Sequence, residues 1–154
     1  MRSYFRIVRA SRLDAASVCL GRFQRLAPAE LIVAGLKDIE NRTWPTDYRG
    51  PVLIHASMKI EPIDADLREL VKRLSGFDLP DAADLPRGGI VGQAVIVDLV
   101  QSSPSRWFSG PYGFVLANAR RLPFRPMPGQ PGIFEVATAS DEAAPHGRQG
   151  DQLS

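Results

Sequence analysis

The chain has 154 residues, 44% hydrophobic and 23% charged, with 13 glycines, 13 prolines and a formal net charge of +2. That length and balance fit one domain able to bury its own core, and exclude a collagen, a coiled coil and a chain disordered throughout. One cysteine (Cys19) and two histidines (His55 and His146) exclude an intrachain disulfide and a cysteine-built zinc site, so neither metal nor cofactor is expected.

No apolar run approaches the roughly 18 residues of a membrane span, and the first residues lack the apolar core of a secretory signal. A cytoplasmic protein without membrane contact is therefore expected. The charge is uneven along the chain. Residues 1–27 hold six arginines against one aspartate, and residues 61–84 hold seven acids against three bases. Residues 85–135 hold five arginines against two acids. An uneven basic surface favours phosphate-bearing partners. The competing explanation is a codon habit that prefers arginine to lysine.

Residues 1–21 read as an irregular or basic N-terminal extension. A transit segment, a basic arm, or translated sequence upstream of the true start would each look this way, and the last is favoured because no period or cap is visible. A folded domain is expected over residues 22–137. Residues 23–26 suit a short strand. Pro28, Glu30 and Gly35 punctuate a helix of about two turns. Residues 37–44 alternate as a strand, with Asp38, Glu40, Arg42 and Trp44 on one face and Lys37, Ile39, Asn41 and Thr43 on the other. A turn follows, and then a strong strand over 51–57.

Ile63, Leu67, Leu70, Val71 and Leu74 recur at helical spacing. Residues 77–87 form an acidic loop broken by proline. Residues 89–100 carry the longest strand signal, with Gly92 marking a bend or bulge. Residues 113–119 and 132–136 are further strands, separated by a proline-rich loop. Residues 138–154 are polar and aperiodic, and read as a disordered tail. Five or six short strands with two or three helices make an α+β fold. Closing the strands into a small mixed barrel would remove exposed edges.

The segment from Gly35 to Arg42 gathers Lys37, Glu40 and Arg42 within six residues beside a helix end. Together with the Trp44-Pro45 turn, the strand through His55, Ala56 and Ser57, and the run Gly110-Pro111-Tyr112-Gly113-Phe114, it resembles the ASCH domain, a branch of the PUA-like superfamily. Gly35, Lys37, Glu40 and Arg42 match that family's G-x-K-x-x-E-x-R motif, and the resemblance covers roughly residues 26–136. It implies a PUA-like barrel with a cleft beside it that receives RNA or a modified nucleobase. One branch of the family hydrolyses acetylated cytidine with a lysine base and a threonine nucleophile. The threonine falls at Glu40 here, and a carboxylate is a poor nucleophile for an amide, so that reaction is not carried over. The family's Gln-Pro-Trp before the first helix is also replaced, by Gln24-Arg25-Leu26-Ala27-Pro28.

Each candidate residue has a plain reading beside a functional one. Lys37 caps a helix end, or binds phosphate, or serves as a base. Glu40 and Arg42 form a structural pair, or Glu40 accepts from a base amino group while Arg42 grips a phosphate. Tyr48, Trp44, Trp107 and Tyr112 stand beside turns, where aromatics pack a core or stack bases. Tyr112 is the leading stacking candidate and Trp44 the leading core candidate. Arg49 is placed to reach a backbone phosphate. His55 and Ser57 share a strand face without a third group, and a buried, hydrogen-bonded histidine is expected rather than a catalytic pair. Three functional readings stand open. One is a binding module for RNA or a modified nucleobase. The second is a hydrolase, ribonuclease or nucleoside amidohydrolase, with Lys37 as base and Glu40 orienting. The third is a protein-interaction domain without nucleic acid.

Overall fold

The computed structural model describes residues 18–20, 29–59, 62–130 and 132–136. The expected strand at 23–26, most of the N-terminal extension and the tail lie outside the described residues. The elements run in the order β1 (Val18–Leu20), α1 (Ala29–Val33), β2 (Ile39–Arg42), β3 (Gly50–Ala56), α2 (Ala65–Ser75), β4 (Gly89–Val100), β5 (Tyr112–Pro126) and β6 (Ile133–Glu135), with a short 3-10 turn at Ala82–Asp84. This is the small mixed α+β fold that the pattern implies.

The strands form one sheet in the order β2-β5-β4-β3-β1-β6. Neighbours are antiparallel except β1 and β3, which run parallel. The expected barrel does not close. Strands β2 and β6 stand at opposite ends of the ladder, and the short β6 leaves few backbone groups to pair further.

The core lies between α1 and the β3-β4-β5 face. All five residues of α1 are buried, with Leu31 and Ile32 fully so. A helix apolar nearly all round belongs inside. It is pinned by Glu30, whose carboxylate takes two hydrogen bonds from the Arg121 guanidinium of β5, one of them 3.0 Å long. Val33 packs so closely on Gly92 that a side chain there would strike it and the Arg120 carbonyl. The ladder also shifts register between Ile90 and Gly92. The irregularity read at Gly92 is therefore present, at the point where the helix and the neighbouring strand both approach the chain closely. Helix α2 is capped by Asp64, which accepts from Leu67 N at 2.7 Å, and ends at left-handed Gly76. Its Val71 packs with Leu31 of α1 and Leu79. Leu74, read as part of the apolar stripe, is exposed at the last turn.

Two differences from the sequence reading have physical causes. Strand β5 runs on through 120–126, where a proline-rich loop was expected. One residue of β4, between Ile90 and Gly92, faces three of β5, between Arg125 and Arg121. Pro123 sits in that bulge, where no ladder N–H is required. Strand β1 lies at Val18–Leu20, inside the stretch read as an extension, and joins β3 to β6. Three residues are too few to show a period.

Candidate functional site

The end of α1 sets the position of Lys37. Gly35 takes φ +76°, a conformation that side chains disfavour. The amides of Leu36 and Lys37 then both donate to the Leu31 carbonyl, at 2.9 and 3.0 Å. This turn drops Lys37 beside β2 although strand parity alone would put it opposite Glu40. Lys37 Nζ donates to Glu40 Oε2 at 2.9 Å. Arg42 Nε lies 3.4 Å from Glu40 Oε1. All three side chains are buried, at 6%, 1% and 5% exposure. Two cations thus share one carboxylate at the edge of the core.

Register fixes the surroundings. Glu40 pairs with Phe114 and Arg42 with Tyr112 across β2 and β5. Directly opposed residues share a face, so Phe114 and Tyr112 stand beside the charged pair. Phe114 is fully buried and meets the Trp44 ring edge-on at 5.2 Å. The Arg42 guanidinium lies 5.9 Å from the centre of the same ring, within the range of a cation–π contact. Trp44 therefore packs against the core, as favoured from sequence, and supports Arg42. Tyr112 is half-buried at the start of β5.

The other candidates serve their own turn. Tyr48 packs against the main core and its hydroxyl donates to the Pro51 carbonyl at 2.7 Å. Arg49 is exposed and its Nη1 donates to the Thr46 and Tyr48 carbonyls, each at 3.0 Å. These hydrogen bonds hold both side chains to the turn that follows β2 and to the start of β3. Burial raises the Tyr48 phenol above its ordinary value of 10.0. The folded state then holds this proton when the unfolded chain has lost it, so stability is whole below about pH 10 and falls as pH rises through the folded value. Thermal melts across about pH 9 to 11 should show a shallower alkaline decline in Tyr48→Phe than in wild type. An equal decline would contradict a role for this phenol.

His55 is buried at 2% exposure and its Nε2 meets the Met127 carbonyl at 2.8 Å. It is buried and hydrogen-bonded to backbone, as expected from sequence. Asp38, read as a solvated charge, is exposed but accepts from Ser105 Oγ at 2.8 Å. Asn41 was not singled out from sequence. Its side chain makes three hydrogen bonds to the loop between β4 and β5. No signal in a single sequence marks it, because those partners lie 66 to 69 positions away. Among the described residues, no group of three or more His, Cys, Asp or Glu could hold a metal ion. No described helix is long and apolar enough to cross a membrane.

The ASCH domain family model matches residues 26–124, well over half of the chain. Among curated proteins, the chain is similar to activating signal cointegrator 1 of Homo sapiens, at 27% identity over 131 residues. It is likewise similar to activating signal cointegrator 1 of Mus musculus, at 26% over 131 residues. Each match covers 77% of this chain but only 22% of the relative's length.

Proposed function

Because the chain belongs to the ASCH domain family, we propose that it is an RNA-binding module, whose ligand is a single-stranded segment or a modified nucleobase held beside Lys37, Glu40 and Arg42. The observation that carries this reading is the contact among those three buried charges. Taking charges out of water is expensive, and a buried ion pair rarely stabilises more than apolar packing of the same volume. A cation–carboxylate–cation set is better explained as a receptor for an anionic ligand than as a device for stability. Lys37 and Arg42 would answer phosphate, Arg42 with its planar fork. Tyr112 would stack a base, and exposed Arg49 would take a neighbouring phosphate.

The hydrolase reading is less favoured. It requires Lys37 to act as a base, yet its Nζ is engaged as a donor to Glu40. In the cointegrator relatives the matching stretch is a minor part of a longer chain, as suits a binding module among other parts.

The test is fluorescence anisotropy with a labelled, unstructured short RNA, titrated between about 50 and 200 mM salt. Affinity should fall steeply with salt. Lys37→Ala, checked as folded by circular dichroism, should lower the log–log slope by about one unit. Affinity that stays flat across the salt range would overturn the reading. Mass spectrometry of the same mixtures would expose a hydrolase through the product formed.

A further inference from the structure

Strand β2 has two occupied faces. Glu40 and Arg42 carry the charged cluster on one. Asn41 alternates with them and so points to the other. There it grips the loop that leads into β5. Asn41 Nδ2 donates to the Trp107 carbonyl at 2.7 Å, and its Oδ1 accepts from the amides of Ser109 and Gly110 at 2.8 and 3.1 Å. An asparagine amide offers two donors and one two-fold acceptor, so most of its capacity is committed to this one loop.

The loop is fastened at two further points. Ser105 Oγ donates to Asp38, just before β2. The Phe108 ring lies so close to β5 that a side-chain carbon at Gly113 would come within 2.8 Å of it, and within 3.0 Å of Ile39. Gly113 is the residue paired with Asn41, and Tyr112, the next residue back, is paired with Arg42. The chain therefore passes from the three Asn41 bonds to Tyr112 in two residues.

We infer that Asn41 is a positioning residue: by tying residues 107–110 to the back of β2, it fixes Tyr112 against Arg42 on the front. This rests on the reading of Tyr112 as a base-stacking contact. Losing the three bonds would let the start of β5 shift, and Tyr112 would leave the plane in which a base can lie on it.

A double-mutant cycle tests this, with anisotropy of the same labelled RNA and a thermal melt of every variant. Asn41→Ala and Tyr112→Ala should each weaken binding about tenfold. The double variant should be no weaker than either, because Asn41 has nothing left to position. Binding lowered about a hundredfold in the double variant, or unchanged in either single variant, would overturn the inference while leaving the RNA reading in place. Wild-type protein that binds no RNA would overturn both. Should Asn41→Ala fail to fold, Asn41→Ser replaces it in the cycle. That variant puts a short uncharged hydroxyl in place of the amide, and should show a loss that also vanishes beside Tyr112→Ala.

Discussion

Glu40→Ala is expected to cost the fold about 3–5 kcal/mol, because it leaves two buried cations facing each other without the carboxylate they share. Glu40 is 1% exposed, and Lys37 and Arg42 are scarcely more so, so water can do little to screen the repulsion. For a domain of this size such a loss lowers the melting temperature by roughly 10–20 °C. The contrasting variant replaces all three at once, as Lys37→Met, Glu40→Leu and Arg42→Met. Similar volumes are then packed without any charge to desolvate, and stability should be equal to wild type or higher. A mild effect of Glu40→Ala, below about 1 kcal/mol in urea melts, would show that the cluster is wetter than its burial implies.

Phe114→Ala should be of similar size, about 3–5 kcal/mol. The ring is fully buried, at 0% exposure, between the main core and Trp44. Its removal opens a cavity and takes away the edge-on partner of Trp44, a contact worth roughly 0.5–1.5 kcal/mol beyond area. Trp44 in turn lies under Arg42. RNA affinity should therefore drop even at temperatures where the variant remains folded. A destabilised variant with wild-type affinity would separate the core from the site and contradict this link.

Much of the framework was legible. Strand β4 has the expected bounds, because a long apolar run opened by two glycines leaves little choice. The charged face of β2 followed from period-2 alternation. Lys37 did not: parity put it on the opposite face, and only the left-handed turn at Gly35 returns it to Glu40. The far limb of β5 was hidden by Pro123 and Pro126, which signal a loop until the bulge that absorbs Pro123 is seen. The ion pair of Glu30 with Arg121 and the grip of Asn41 on its loop join positions far apart in sequence. One sequence carries periodicity and punctuation. It does not carry which distant polar groups meet.

The decisive measurement compares RNA binding by wild type and by the triple apolar variant, both shown to be folded by their melts. Salt-dependent binding by wild type and none by the triple variant is the expected result. Undiminished, equally salt-dependent binding by a folded triple variant would contradict the proposal that Lys37, Glu40 and Arg42 receive the ligand.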